Sequence, residues 1–367
     1  MKMTSLGEFG FIDLIRARAG GPRGLLSKGI GDDAAVLDMP PAGKQLLWTV
    51  DMLVEGVHFE LSYTTPRLLG RKSLSVNLSD IASMGGEPVA CLMSIGLPAD
   101  TDTAFATGFV EGFLEVAREH ACPLAGGDTV AAPGVVIDVT VLGLAPAGKA
   151  FLRSGARPGQ LILVTGALGA SAAGLEAFRR GLDSQAVWAP LVCAHLDPTP
   201  RLAEAAAARE AGGVGAMMDI SDGLASEVNH ICRESGAGAV IWSDSIPISA
   251  AAREFCAQAG LYALDLALLG GEDYELVFTA GAQDAASIGD AIETRTGTPV
   301  TVVGEIVDAA RGVKISAGGI ESALLPRAYD HFRTKARLLA PTAPFGQSSS
   351  QQKQLIHLSR SALGKPS

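Results

Sequence analysis

The stretch Gly29-Ile30-Gly31-Asp32-Asp33-Ala34-Ala35-Val36 sets two adjacent carboxylates in a glycine-bounded turn directly before an apolar run. Two carboxylates about 4 Å apart repel by roughly 4 kcal/mol at an effective dielectric of about 20, so such a pair needs full solvation, a shared proton or a cation. Further acidic sites with small or apolar neighbours follow: Thr49-Val50-Asp51, Asn77-Leu78-Ser79-Asp80, Gly126-Gly127-Asp128 and Asp219-Ile220-Ser221-Asp222-Gly223. One aspartate beside glycine is ordinarily a turn or cap residue. Five such sites together point to a magnesium-filled site that handles phosphates, because hard oxygen ligands suit Mg²⁺ and its usual partners are a few carboxylates plus nucleotide phosphates.

The chain has 367 residues, 48% of them hydrophobic, enough to fill two cores of ordinary size. Its net charge of −10 and its lack of any Lys/Arg cluster argue against a nucleic-acid partner. The five cysteines (Cys91, Cys122, Cys193, Cys232, Cys256) are scattered and free of CxxC spacing, so they read as reduced thiols rather than a disulfide framework or a zinc site. The N-terminal residues lack the pattern of a signal peptide, and no run reaches the roughly 18 apolar residues of a membrane span. A cytoplasmic protein without a membrane partner is expected.

Along the chain, residues 7–18 carry Phe11, Leu14 and Ile15 at helical spacing, and the segment from Gly20 to Lys28 reads as a loop. A strand from Gln45 to Val50 ends at Asp51. Thr65 caps a helix with Pro66 at its first position, running to about Met84 with Lys72, Ser73, Val76 and Asp80 near one stripe. Val89 to Leu97 and Val135 to Ala145 read as strands and Thr103 to His120 as a helix, while the paired glycines of Gly126-Gly127 let the backbone approach a ligand closely. The first domain, residues 1–148, is expected to bind metal and phosphate groups. This order is not a simple βαβ repeat, so an α+β layer is favoured over a doubly wound sheet.

Residues 151–159 link to a second domain, 149–333, which opens with a strand from Leu161 to Thr165 and a helix from about Ala170. The intervening glycine loop lacks both GxGxxG and GxxxxGK[ST], so ordinary dinucleotide and P-loop sites are unsupported. An alanine-rich helix follows Pro198-Thr199-Pro200-Arg201, and Ser221 or Asp222 is a plausible N-cap for another. The run from Gly270 to Phe278 joins a glycine pair and acidic residues to a strand. Pro299 to Ile306 reads as the last strand, and the Ser/Gln-rich residues 334–367 as a mobile tail.

These motifs in this order resemble the thiamine-monophosphate kinase family, within a superfamily that includes aminoimidazole ribonucleotide synthetase, selenophosphate synthetase and a hydrogenase maturation factor. The resemblance spans roughly residues 5–333. It is carried by Gly7-Glu8-Phe9, Gly29 to Ala35, Asp51 to Phe59, Val76 to Gly85, Gly126 to Thr129, Arg153-Ser154-Gly155, Ile220 to Leu224 and Gly270 to Leu276. It implies two α/β domains, the first lending strands to a barrel shared between the subunits of a homodimer and the second packed against it. By motif position, Asp33, Thr49, Val50 through its backbone, Asp51, Asp80, Asp128, Asp219 and Asp222 resemble magnesium ligands. Among them, Asp51, Asp80, Asp128 and Asp222 are the catalytic candidates. Gly127, Asp128, Arg153 and Ser221 resemble ATP contacts, and His120 stands where a nucleotide-stacking tyrosine is found. His58 and Glu272 resemble contacts to thiamine monophosphate, and Pro326 replaces an aromatic residue that stacks on that substrate. The implied reaction moves the γ-phosphoryl group of ATP to thiamine monophosphate. Two competing readings are another ATP-using member of the superfamily and an inert nucleotide-binding scaffold. The first lacks a reactive cysteine before Cys91 or in the tail after Cys256.

Overall fold

The computed structural model describes residues 11, 14–21, 23–28, 36–38 and 40–325. The Asp32-Asp33 turn, Gly7-Glu8-Phe9, Pro326 and the Ser/Gln-rich tail lie outside the described residues. Within them the chain is a mixed α/β protein with two main sheets. The first has the order β3 (Lys44–Val54), β6 (Val136–Pro146), β4 (Glu87–Leu97), β5 (Leu124–Ala131), antiparallel except for the parallel β4–β5 pair. One of its faces is covered by α1 (Pro66–Ser83) and α2 (Thr103–Glu119) over a core that includes Leu47, Leu78, Ile95, Phe109, Phe113 and Val141. Phe11 and Ile15 add to the same core, as their helical spacing predicts.

Helix α1 begins as the sequence requires. The Thr65 side chain accepts a hydrogen bond from the Leu68 amide at 3.2 Å, and Pro66 occupies the first turn, where its missing N–H is not needed. Gly70 and Gly112 let the two helices cross backbone to backbone, since a Cβ on Gly70 would lie 2.0 Å from the Phe109 carbonyl and one on Gly112 1.9 Å from that of Arg67. Most of α1 is buried on all sides, its polar residues Lys72, Ser73, Ser75, Asn77 and Ser79 included. It lies between the first sheet and the second half of the chain, so its polar stripe faces protein rather than water.

The second sheet has the order β13 (Ile320–Ala323), β12 (Val313–Ala317), β9 (Ala237–Trp242), β11 (Val300–Asp308), β7 (Leu161–Thr165), β10 (Leu276–Ala280), β8 (Val214–Asp219). All its neighbours are antiparallel except β9 and β12. Side chains alternate between two cores: Ile162, Val164, Met218 and Val277 pack with α6 (Leu224–Ser235) on one face. Leu163, Met217, Leu276 and Phe278 pack with α5 (Leu202–Ala211) and α9 (Ala282–Thr296) on the other. The shorter helices α3 (Ala170–Arg179), α4 (Ala189–Leu196), α7 (Ala250–Ala259) and α8 (Ala263–Leu269) complete this half.

Several local expectations are corrected. Residues 20–28 are not all loop, because Leu26–Lys28 pairs with Val36–Leu37 as β1 and β2. Asp51 is inside β3 rather than at its end, since the ladder with β6 continues to the Val54–Val136 pair. Gly126 to Thr129 belong to β5, where a Cβ on Gly127 would sit 1.8 Å from the Met93 carbonyl, so the close approach observed is to the neighbouring strand. Neither Ser221 nor Asp222 caps α6. The cap is Gly223 at φ 106°, and the Asp222 amide instead donates to Glu227 at 2.7 Å. Val300–Asp308 is not the last strand, because β12 and β13 extend the sheet beyond it.

Candidate active site

Three of the predicted aspartates converge between the two halves. Asp51 comes from β3, Asp80 from the last turn of α1 and Asp219 from the end of β8, and each carboxylate is fixed by its own element. The Thr49 hydroxyl donates to Asp80, and the Ser79 hydroxyl donates to Asp219 at 2.7 Å. Burial, aided by the charges of Asp80 and Asp138, pushes the Asp51 carboxyl up to about 6. Burial, with Asp80 and Asp51 adding to it against the Ser79 bond, pushes Asp219 up to about 7. Asp80 is raised by burial, against the opposing pull of Thr49 and Arg153. Three buried or half-buried carboxylates close enough to repel one another, with Arg153 as the one guanidinium acting on them among the described residues, form a region of unbalanced negative charge. Among the described residues, no three His, Cys, Asp or Glu side chains close into a ready-made metal cage. The donor set nevertheless fits a hard divalent cation, because each raised carboxyl signals charge that a cation would neutralise.

Beside this cluster lies a cleft of about 510 Å³ lined by Thr49, Asp80, Met84, Phe151, Arg153 and Met217 among others. Its apolar walls carry one guanidinium, Arg153, and two carboxylates, Asp80 and Glu234, so it suits a ligand with an apolar body whose anionic groups meet Arg153 and a screening cation. Asp128 is on the exposed part of β5, its carboxylate accepting from the Thr129 amide at 2.8 Å. Val50 points its side chain to the exposed face of the first sheet. His120 ends α2, where burial lowers its pKa. Asp222 and Ser221 lie on the half-buried turn before α6, and buried Glu227 beneath them is pushed up to about 8 by burial.

The segment 270–275 is the second component. The Glu272 amide donates to the Ser221 carbonyl at 2.7 Å and the Tyr274 amide to Ile220 at 2.9 Å, clamping this run to the turn that carries Asp219 and Asp222. Glu272 and Tyr274 have φ of 65° and 49°, a left-handed conformation that non-glycine residues rarely adopt, so packing must hold them there. Alternate side chains then go separate ways. Asp273 accepts from the Gly169 and Ser171 amides at the start of α3, and Glu275 pairs with Arg201 at 2.8 Å. Glu272 reaches the other half of the molecule, where the Lys72 ammonium donates to its Oε2 at 3.1 Å and to the His195 carbonyl at 3.0 Å.

His195 Nδ1 lies 3.2 Å from the same Oε2 and 3.1 Å from the Ser171 hydroxyl. A carboxylate only accepts, so Nδ1 carries the proton. Burial first and Lys72 second hold the imidazole neutral, with its pKa down to about 3, against the pull of Glu272. Burial alone would raise the Glu272 pKa, but Lys72, His195 and His58 outweigh it and draw it below the ordinary carboxylate range. His58 accepts the Val54 amide at its Nδ1 (3.0 Å), so its Nε2 is the N–H donor. Tyr63 stacks on Phe178 with ring centroids 4.5 Å apart, and both rings lie about 6 Å from His195. The buried phenol of Tyr274 feels Glu272 as well as Asp51, Asp219 and Asp80, which places it between the two components.

The sequence singles out the aspartates, His58 and Glu272 as candidates but gives no such sign for His195 and Tyr274, and it marks Lys72 only as part of a polar stripe. Nothing local marks His195, which sits in the short helix α4 of apolar composition. Lys72 carried a usable signal, a lysine in a helix too apolar to have a solvent face. Asp33 lies outside the described residues.

The AIR synthase related protein family models match this chain twice, the N-terminal domain over residues 31–145 and the C-terminal domain over 157–316. The thiamine-monophosphate kinase of Salmonella typhimurium is 37% identical over 332 residues, covering 89% of this chain and 99% of that protein. The crystal structure of thiamine-monophosphate kinase from Stenotrophomonas maltophilia K279a superposes with a TM-score of 0.75 at 36% identity, over 84% of this chain and 96% of that one. AaThiL complexed with AMPPCP and TMP gives a TM-score of 0.72 at 33% identity, over 90% of this chain and 99% of that one. The chain belongs to the thiamine-monophosphate kinase family of enzymes, built from these paired AIR-synthase-related domains.

Proposed function

We propose that the protein transfers the γ-phosphoryl group of ATP directly to the phosphate of thiamine monophosphate, giving thiamine diphosphate and ADP. A bond forms between an acceptor phosphate oxygen and the γ-phosphorus, and the bond to the β,γ-bridging oxygen breaks. The acceptor oxygen is already largely ionised at neutral pH, so no side chain has to act as general base. The difficulty is bringing two polyanions into line in an acidic protein. The convergence of Asp51, Asp80 and Asp219 beside the Arg153 cleft is the observation that carries this reading.

Thr49, the Val50 carbonyl, Asp51, Asp80, Asp128, Asp219 and Asp222, with Asp33, are the residues that would hold Mg²⁺. Bound Mg²⁺ supplies charge neutralisation and Lewis-acid polarisation of phosphate oxygens. Thr49 and Ser79 orient two of the carboxylates, Arg153 sets a fixed positive fork at the nucleotide, and Gly127, Asp128, Ser221 and His120 are further nucleotide contacts. His58 presents an N–H to the acceptor phosphate, and Glu272 contacts the thiamine moiety. The domains divide at residues 1–148, 149–333 and 334–367.

The uncovered face of the first sheet exposes Leu46, Trp48, Val50 and Met52 on β3 with Leu92 and Val130, Trp48 being 73% exposed. This apolar surface supports a homodimer in which the sheet joins a partner's into a barrel. A cytoplasmic location accords with the absence, among the described residues, of any helix long and apolar enough to cross a membrane. Turnover of thiamine monophosphate with stoichiometric ADP release tests the reaction; ATP consumption without thiamine diphosphate would overturn it. Light scattering at micromolar concentration tests the dimer, and a fully active monomer would refute it.

A further inference from the structure

The Lys72–Glu272–His195 arrangement carries consequences for specificity that its individual residues do not. Lys72 and His195 are 3% and 2% exposed, whereas the Glu272 side chain is 24% exposed, so the carboxylate is the member that reaches the surface. The Lys72 ammonium donates to one oxygen, Oε2, and His195 Nδ1 lies 3.2 Å from the same oxygen. Among the described residues, none hydrogen-bonds Oε1. The charges sum to zero, because the ammonium balances the carboxylate and the imidazole is neutral. A carboxylate already paired with a buried ammonium at 3.1 Å has little field left for a second cation, yet its second oxygen keeps full capacity as a hydrogen-bond acceptor.

We propose that Lys72 and His195 are specificity-determining residues: by occupying Oε2 of Glu272, they present Oε1 to the neutral amino edge of the substrate's pyrimidine and offer no net charge to its cationic thiazolium. This rests on Glu272 facing thiamine monophosphate. It assigns the carboxylate to the amino edge of the pyrimidine rather than to the positive ring.

The same geometry predicts an inversion. In Glu272→Gln the two donors require the amide oxygen at the Oε2 position, which turns the amide NH₂ toward the substrate and replaces an acceptor with a donor. Steady-state kinetics with three acceptors read this out: thiamine monophosphate, its 4-oxo pyrimidine analogue with the thiazolium kept, and an analogue with the amine kept and an uncharged thiophene in place of the thiazolium. In the wild type, the 4-oxo compound should have a KM about tenfold to hundredfold above that of thiamine monophosphate. In Glu272→Gln that order should reverse. The Lys72→Met/Glu272→Ala double variant, which removes both charges, should leave the ratio between the charged and uncharged rings unchanged, while Lys72→Met alone, which uncovers the carboxylate charge, should increase preference for the charged ring.

An amino-to-oxo ratio in Glu272→Gln equal to that of the wild type overturns the proposal, as does loss of the charged-ring preference in Lys72→Met/Glu272→Ala. A thiamine monophosphate KM unchanged in Glu272→Ala would remove Glu272 from the site and the underlying assignment with it. Equal increases for all three compounds would keep Glu272 in the site and overturn only the proposed division. If Lys72→Met does not fold, the wild-type and Glu272→Gln series decide alone.

Discussion

The aspartate cluster and the Glu272 site place the same functional group, a partly buried carboxylate, in opposite electrostatic states. Asp51 and Asp219 are raised because burial and mutual repulsion both disfavour their charge. Glu272 is lowered despite burial because Lys72, His195 and His58 surround it. The protein completes the second site with its own cation, Lys72, and leaves the first with the excess negative charge on which the proposed Mg²⁺ site rests. A cluster poised in this way gains affinity for a cation from relief of its own repulsion, whereas the paired site gains orientation.

The comparison is broken most severely at Asp51. Asp51→Asn should reduce kcat by about a thousandfold or more, as expected when a group that stabilises transition-state charge is lost. Without added metal the same variant should melt higher than the wild type, by roughly 2–4 °C if about 1 kcal/mol of repulsion is relieved. Differential scanning calorimetry beside steady-state kinetics checks both. A variant with near wild-type turnover at limiting Mg²⁺ would remove Asp51 from the metal site.

Glu272→Ala should have the opposite thermal sign. It leaves the Lys72 ammonium buried without its partner, so the protein should melt lower, by an amount equivalent to about 2 kcal/mol. The KM for thiamine monophosphate should rise about tenfold to hundredfold while that for ATP changes little. Loss of stability with both KM values intact would reduce Glu272 to a structural role.

The smallest effect sharpens the contrast through pH. Unfolded aspartates ionise by about pH 4, whereas folded Asp51 and Asp219 hold protons up to about 6 and 7. Over that window the folded state binds more protons, so the contribution of these two groups to stability falls as pH rises. Mg²⁺ should therefore raise the melting temperature by more at pH 8 than at pH 5, a difference of a few degrees read by thermal shift. The dependence should be lost in an Asp51→Asn/Asp219→Asn variant and kept in Glu272→Gln.

Legibility in the sequence followed the range of the forces involved. The Thr65-Pro66 helix start and the strand from Leu161 to Thr165 were readable because caps, proline and apolar runs act locally. The aspartates were readable because a carboxylate among small or apolar neighbours is conspicuous. Asp51 was misplaced at a strand end because the continuation of β3 depends on its ladder with β6, roughly ninety residues away. The N-cap expected at Ser221 or Asp222 failed because a backbone clamp from residues 272 and 274 and the buried Glu227 compete for that turn. Lys72 and His195 were invisible as a pair, since Glu272 lies 200 residues from Lys72 and only the packing of the two halves joins them.

Proton release on metal binding tests the central claim most directly. Mg²⁺ titrated into a weakly buffered solution of the protein at about pH 6.5 should release protons, because Asp51 and Asp219 are partly protonated there and must ionise to hold the cation. The release should be near zero in Asp51→Asn/Asp219→Asn and unchanged in Glu272→Gln. Saturable Mg²⁺ binding with no proton release, or a release that survives in the double variant, would contradict the assignment of this cluster as the cation site.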